Sequence, residues 1–220
     1  MDTTQMKRGL FFALATLTST PAFAQANWYL GGGTTGLGGG VAVQVAPSID
    51  LRVQYLGGKT NSDFRSDGID YKQSIKLSNA GVIGDYYCPF SQRFHLSAGL
   101  YYGKNKIRLE GRPSSSGTYT LNGNTYSATG ATINADTELV DGVAPYLGVG
   151  WATRPAAGRG FGYRVEIGAM LQNPKTRLTQ TGLVGATVTQ DLQAEENRIN
   201  DKLHRYRLFP VGAGLVSYSF

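Results

Sequence analysis

Apolar and polar residues alternate with a period of two along most of this chain. The clearest segments are 41–46, 51–56, 80–88, 94–103, 143–151, 161–171 and 215–220. In each segment, one set of alternate positions holds mainly Val, Leu, Ile or aromatic residues, and the other set holds mainly small, polar or charged residues. Segments of about ten residues with two unlike faces predict β-strands.

The connections between these segments alternate in length. Those after Ala46, Cys88 and Ala152 are short, whereas residues 58–72, 110–141 and 173–207 form long polar connections. A soluble sandwich has no reason to collect every long connection at one end, but an outer-membrane barrel has short periplasmic turns and long outward loops. We therefore predict an all-β fold, a closed antiparallel transmembrane β-barrel with long extracellular loops.

The strand count follows from closure. Seven segments are evident if 28–46 is a single strand, but bacterial single-chain barrels have an even number of strands. We therefore divide that segment: residues 27–33 run outward, a Gly-rich turn lies near 35–38, and 39–46 return. This interpretation predicts eight strands, with both termini in the periplasm.

Two of the long connections carry signals of their own. Asn122-Gly123 predicts a type I′ hairpin turn, which places Tyr119 opposite Tyr126 and Thr120 opposite Thr125. Residues 189–204 lack a β pattern and place Leu192, Ile199 and Leu203 on a narrow helical stripe. We expect a short helix before the last strand that packs on the barrel rim; a lid or a partner-binding element is the alternative.

The N-terminus has the features of an export signal. Lys7 and Arg8 precede the apolar core 9–17, and Ala22 and Ala24 form an A-x-A cleavage site. We expect residues 1–24 to be removed and residues 25–220 to form the barrel. This pattern predicts export through the general secretory pathway, and export together with the predicted barrel predicts location in the bacterial outer membrane.

Composition narrows the possible functions. The chain of 220 residues has 30 Gly, 16% charged residues, one Cys and two His, which argues against a disulfide scaffold and a Cys- or His-based metal site. Its mean hydropathy of −0.22 excludes a bundle of membrane-spanning helices. Loss of residues 1–24 reduces the formal net charge from +6 to +5. This excess suits lipopolysaccharide phosphates, whereas export makes nucleic-acid binding improbable. No cofactor is expected.

Alternation directs a set of polar residues into the barrel. The predicted lumen network consists of Arg52, Gln54, Asp85, His95, Ser97, Arg164 and Glu166. Side chains just fill an eight-stranded barrel, and buried charges must be paired because an uncompensated charge costs several kcal/mol. We interpret the set as a salt-bridged core, and the alternative is a narrow, gated polar conduit.

The sequence His95-Leu96-Ser97 raises one catalytic alternative. Positions i and i+2 share a strand face, so that His could activate Ser. Lipid A deacylases of the outer membrane use a similar H-x-S with a later Glu, and Glu110 could nominally fill that role. However, alternation turns His95 and Ser97 inward near the periplasmic turn, and Glu110 lies at the far end of the strand. We therefore expect no enzymatic activity.

The chain resembles the small bacterial outer-membrane β-barrels of the OmpA/OmpX/OmpW type over residues 27–220. The most specific element is the terminal Tyr218-Ser219-Phe220, because such barrels end in an aromatic residue. The resemblance implies that Tyr218 and Phe220 form an assembly signal for the barrel-assembly machinery. We expect a monomer, whose partners are this machinery, outer-membrane lipid and lipopolysaccharide. The leading hypothesis is a structural or cell-surface role; the alternatives are a narrow channel for small or apolar solutes and a lipid A-modifying enzyme.

Overall fold

The computed structural model describes residues 26–66, 69–113, 118–127, 130–153 and 159–219. The expected cleavage site at Ala22 and Ala24 and the terminal Phe220 lie outside these residues. The strands are β1 Ala26–Gly33, β2 Gly36–Ala46, β3 Ile49–Ser66, β4 Ile69–Tyr87, β5 Phe94–Pro113, β6 Thr118–Leu121, β7 Asn124–Ser127, β8 Thr132–Ala152, β9 Gly160–Leu171, β10 Lys175–Thr181 and β11 Leu208–Ser219. The helix α1 spans Val188–Leu203.

Eight of the strands form a closed ring. The hydrogen-bonded order is β1–β2–β3–β4–β5–β8–β9–β11, and β11 pairs with β1 to complete it. All of these pairs are antiparallel. The predicted eight-stranded barrel is therefore confirmed.

The first outer turn differs from the sequence prediction. It consists of Thr34 and Thr35 rather than residues 35–38, and β2 already begins at Gly36. Thr34 Oγ1 donates to Pro210 O over 2.9 Å and accepts from Gly212 N over 3.1 Å. Gly36 follows at φ +112, which L side chains rarely adopt. Contacts with β11, which the local sequence does not reveal, thus set the position of the turn.

The predicted loop over residues 58–72 is wrong. Strands β3 and β4 pair without interruption from Ile49–Tyr86 to Ser66–Ile69. Strands β3, β4, β5 and β8 each have 18 to 21 residues, whereas crossing a bilayer takes about 9–11. The polar halves of these strands therefore continue the sheet beyond the apolar part of the barrel.

The outer surface of the ring carries a continuous apolar belt. Its side chains are about half exposed, because they point away from the barrel interior. Members include Val53, Val82, Leu100, Leu147, Ile167 and Val216. Tyr218 also lies on this surface, with its ring 5.2 Å from that of Phe161. The predicted outward positions on these strands therefore match the structure.

A folded cap covers the end with the long connections. Strands β6 and β7 pair Tyr119 with Tyr126 and Thr120 with Thr125, and Asn122 and Gly123 both have positive φ. The predicted type I′ hairpin is therefore confirmed. The hairpin, α1, the residues before α1 and Ala131 before β8 bury a small apolar cluster of their own, formed by Tyr119, Leu121, Ala131, Leu183 and Val188.

The helix confirms the prediction over residues 189–204 and covers the edge of β10. Asn200 Oδ1 accepts from Thr176 N over 2.7 Å, and Glu196 Oε2 accepts from Leu178 N over 2.8 Å. These side chains satisfy backbone groups that an edge strand leaves open. Within the described ranges, no helix is both long and apolar enough to cross a membrane.

Candidate functional site in the barrel interior

Arg52 on β3 occupies the centre of a buried ionic cluster. Its Nη2 lies 3.0 Å from Asp85 Oδ1 and 2.7 Å from Glu166 Oε2. Its Nε lies 2.7 Å from Asp85 Oδ2, an ion-pair contact whose angle does not make a hydrogen bond. Arg52 is fully buried, so strands β3, β4 and β9 meet through one guanidinium.

Arg164 on β9 holds the other side of Asp85. Its Nη1 lies 2.8 Å from Asp85 Oδ2 and 2.9 Å from His95 Nε2. Its Nη2 donates to the hydroxyl of Tyr87 over 3.1 Å. Ser97 donates to Asp85 Oδ1 over 2.7 Å. Asp85 thus accepts from two guanidinium groups and one hydroxyl.

Tyrosines complete the cluster on the side nearer the cap. Tyr146 donates to Glu166, and Tyr29 donates to Gln54 Oε1 over 3.0 Å. Gln54 in turn donates through Nε2 to the hydroxyl of Tyr101. The seven residues predicted as a lumen network are all buried, and these contacts join them into one group.

The charges in this cluster come close to balance. Arg52 and Arg164 face Asp85 and Glu166, and Asp50 is also buried on the inward side of β3. Removing one partner from a buried pair leaves an uncompensated charge, which is strongly unfavourable. The cluster therefore binds the four strands β3, β4, β5 and β9 to one another across the interior.

Apolar side chains fill the barrel on the cap side of the ionic cluster. Ile83, Tyr101, Val140, Ala144, Tyr146, Met170 and Val211 form one buried core. Beyond it, Asn105 Nδ2 donates to Asn79 Oδ1 over 2.9 Å, and Asn79 Nδ2 donates to Thr35 O over 3.1 Å. At the opposite mouth, the void beside Asp50 and Arg164 measures about 20 Å³, room for about one water molecule. Packed layers therefore occupy the described interior.

Glycines on neighbouring strands make room for the large inward groups. A Cβ on Gly150 would lie 2.5 Å from His95 Nε2, and one on Gly81 would lie 2.7 Å from the ring of Tyr101. The absent side chains of these glycines allow an interior only eight strands wide to hold an ion cluster and several tyrosines.

The structure does not assemble the catalytic alternative. The hydroxyl of Ser97 donates to Asp85, and His95 Nε2 faces Arg164. Glu110 lies thirteen residues from Ser97 on β5, about 40 Å along a strand, and it pairs with Arg112 over 2.5 Å. A Ser-His-Glu arrangement would need these groups within hydrogen-bond reach.

Sequence reasoning missed several members of the interior network. Tyr29 and Tyr146 are not predicted as hydrogen-bonding groups, and Asp50 falls in the short predicted connection after Ala46. Asp50 belongs to β3 and is 1% exposed. Because Asp50 lies two residues before Arg52, alternation would have placed it inward. The only sequence indication for the tyrosines was their place among the inward-facing alternate positions of their strands.

A buried carboxylate connects the helix and the hairpin of the cap. Asp191 on α1 accepts from Asn124 Nδ2 over 2.8 Å, from Asn122 Nδ2 over 3.1 Å and from Tyr126. The hydrogen bonds from Tyr126, Asn124 and Asn122 lower the pKa of Asp191 to about 2. The same contact raises the pKa of Tyr126. The helix and the hairpin turn are thus joined through one ionised side chain.

A cleft lies in the barrel wall, between β8 and the residues that connect β9 to β10. Strand β8 pairs with β9 at residues 146–152 and with β10 at residues 132–138. Between these stretches lies a cleft of about 390 Å³, lined by Val140, Asp141, Pro145, Gln172 and other residues. Because Pro145 lacks an N–H, it cannot donate a ladder hydrogen bond there. The cleft reaches the buried Val140 from the outer surface.

Comparisons with known proteins bear on the fold. No family model and no curated protein matches the chain. The crystal structure of Acinetobacter baumannii CarO2 is similar at 24% identity and a TM-score of 0.65, covering 89% of this chain and 98% of that one. The crystal structure of CarO from the same organism gives 24% identity and a TM-score of 0.64, covering 89% and 97%. The chain therefore shares the β-barrel fold of these two proteins over nearly its whole length.

Proposed function

We propose that the protein is an integral outer-membrane β-barrel with a closed lumen, which displays its folded cap at the cell surface. The observation that carries this proposal is the pairing of an apolar outer belt with an interior filled by matched charges and a packed core. An apolar belt on a closed ring is stable in hydrocarbon because the barrel has no open edge. Its role is structural or in surface contact, as a monomer without catalysis.

The sequence supports this location and orientation. Residues 1–24 have the pattern of an export signal. Short turns at one end and a large folded cap at the other match the periplasmic and external sides of outer-membrane barrels. The assembly machinery that inserts such barrels is the expected partner during biogenesis.

Epitope insertion tests the orientation. We expect a tag between Asn122 and Gly123 to be detected by antibody on intact Gram-negative cells. A matched tag between Pro47 and Ser48, in the short turn at the other end, should be detected only after the outer membrane is permeabilised. Failure of both tagged proteins to fractionate with the outer membrane would contradict the proposed location, and the opposite pattern of detection would contradict the orientation.

Bilayer conductance tests the closed lumen. We expect the refolded wild-type barrel to show conductance near zero, since apolar residues and ion pairs occupy its interior. The ion pairs would not be broken by dilute salt, because buried pairs are screened much less than exposed ones. Regular single-channel steps in a preparation verified as folded would contradict a closed lumen.

The cleft beside Pro145 favours a second candidate function, lateral passage of small apolar solutes between the barrel wall and the membrane. Uptake into proteoliposomes would distinguish it. Passage through the cleft predicts solute uptake without ionic conductance, and Asn173→Trp, which places a large ring at the cleft, should reduce it several-fold. Asn61→Trp on the outer face of β3 serves as the matched control and should leave uptake unchanged.

A further inference from the structure

The outer face of the extended sheet carries an unusual row of basic residues. The strand register places Lys59 opposite Lys76, and Lys76 opposite Lys106. The row continues with Glu138 on β8 and Lys175 on β10. One row across five strands therefore holds four lysines and one carboxylate. We refer to the outward surface of β3, β4, β5, β8 and β10 at this level as the basic face.

The carboxylates on the basic face already have partners. Lys106 donates to Glu138, and in the next outward row Arg108 Nε lies 2.6 Å from Asp136 Oδ1. Arg177 continues this second row beside Asp136. Across the described ranges, no ion-pair partner lies within 4 Å of Lys59, Lys76, Lys175 or Arg177. Lys175 and Arg177 lie opposite Glu138 and Asp136 on β8, whereas the residues opposite Lys76 are Lys59 and Lys106.

Like charges at directly opposed positions of neighbouring strands are destabilising. The pairs Lys59–Lys76 and Lys76–Lys106 break this rule on two adjacent ladders. Between β5, β8 and β10 the surface is also concave, with a cleft of about 320 Å³ whose charged lining is Lys106, Arg108, Lys175 and Arg177 together with the carboxylates of Asp136 and Glu138. An external anion with several charges would relieve the repulsion and fit this concavity.

The height of the basic face above the apolar belt indicates which anion it meets. Tyr55 and Tyr102 are the last half-exposed apolar residues of the belt on β3 and β5. Lys59 lies four residues beyond Tyr55, and Lys104 lies two residues beyond Tyr102. At about 3.4 Å per residue and a tilt near 40°, these lysines stand roughly 5–10 Å above the hydrocarbon boundary. Flexible lysine side chains at that height reach the polar layer of the membrane.

We propose that the basic face binds the phosphate groups of lipopolysaccharide in the surrounding outer leaflet. The lipid's acyl chains would lie along Val53, Val82 and Leu100, while its phosphates meet Lys59, Lys76 and Lys106. The belt and the basic face are continuous on the same strands, so one amphipathic molecule can contact both. This inference rests on the proposed outer-membrane location.

Native mass spectrometry of the refolded barrel in detergent tests the inference. The probe is phosphorylated lipid A, compared with the same lipid after enzymatic removal of its phosphates. The variant is Lys59→Gln with Lys76→Gln. Its matched control is Arg93→Gln with Arg159→Gln, which removes two exposed positive charges near the short turns at the opposite end of the barrel.

We expect phosphorylated lipid A to bind the wild type and the control alike. Each surface cation near an anionic membrane contributes about fivefold, so the double lysine variant should bind on the order of 25-fold more weakly. Its binding of the dephosphorylated lipid should be unchanged. Equal affinity of the lysine variant and the wild type would overturn the inference, as would displacement of lipid A by an equimolar amount of inorganic phosphate.

A second measurement keeps this test separate from the proposed location. In zwitterionic detergent without lipid A, the lysine variant should unfold at the same or a higher urea concentration than the wild type, because two like-charge contacts are relieved. A barrel that inserts into phosphatidylcholine vesicles but does not distinguish the two lipids would refute the basic-face site and leave the proposed location standing. A chain that fails to insert would refute the location itself.

Discussion

Asp85 is the residue on which the interior depends most. It lies between Arg52 and Arg164 and also accepts from Ser97. Because all of these groups are buried, water cannot replace a lost contact. Asp85 is thus the carboxylate that contacts both guanidinium groups, one from β3 and one from β9.

Replacing Asp85 by Asn should destabilise the barrel by roughly 3–5 kcal/mol, because it removes the carboxylate that contacts both Arg52 and Arg164 in a low-dielectric interior. Urea titration of the barrel refolded in lipid vesicles measures this loss. The control is Asp70→Asn, which breaks the exposed pair with Arg65 and should cost at most about 1 kcal/mol. An Asp85 variant as stable as the control would indicate that water already solvates the cluster.

At the scale of elements, α1 and the β6–β7 hairpin form a unit through a small apolar cluster and Asp191. The helix also supplies Glu196 and Asn200 to the open edge of β10. The contacts of α1 with the hairpin bring together segments about 70 residues apart in the chain. The cap is therefore a folded part of the molecule, in which hydrogen bonds to Asp191 connect α1 to the hairpin.

The cap should loosen in acid. The folded pKa of Asp191, about 2, lies below its ordinary value of 3.8, so the ionised carboxylate stabilises the docked helix at every pH above that ordinary value. This contribution declines below about pH 4 and is lost as the pH falls through about 2. Hydrogen-exchange protection factors of residues 118–127 and 188–203 should follow that decline.

The variant Asp191→Asn serves as the control for the acid effect. Its cap should be less protected at neutral pH, and it should lack the acid-dependent component that the wild type shows. Identical pH profiles for the two proteins would assign the loosening to another group.

At the scale of the whole molecule, the ring divides into an apolar zone and a polar zone along its long strands. The belt residues near Leu100 are about half exposed, and the outward residues beyond Tyr102 are charged on β5. In the proposed outer-membrane location, the boundary between the zones would set how deeply the barrel lies in the bilayer. The belt, the closed ring and the filled interior together account for the proposed placement.

Replacing Leu100 by Arg should destabilise the barrel in lipid by about 2–4 kcal/mol if this position meets the middle of the bilayer. Asn61→Arg, on the outer face of β3 beyond the belt, should cost about 0–1 kcal/mol. Urea titrations of both variants in one lipid would compare them. Equal costs would show that the membrane does not surround the belt at Leu100.

Much of this architecture is encoded locally. Period-two alternation directed Arg52, Asp85 and Glu166 inward and Leu100 outward, because neighbouring side chains of a strand point to opposite faces. The hairpin at Asn122-Gly123 and the helix were predictable since a type I′ turn and an apolar stripe are short-range features. Closure of the ring required one added condition, an even number of strands.

Contacts between distant segments were decided only in three dimensions. Arg52 meets Asp85 and Glu166, which are 33 and 114 residues away, and their contact depends on the register and stagger of several strands. Residues 58–72 lack the alternation that marks a strand, because water reaches both faces of the sheet there. Only the pairing of β3 with β4 shows that these residues form strands. The sequence by itself therefore determined which way each side chain points within a strand, whereas the closed sheet decided which of them touch.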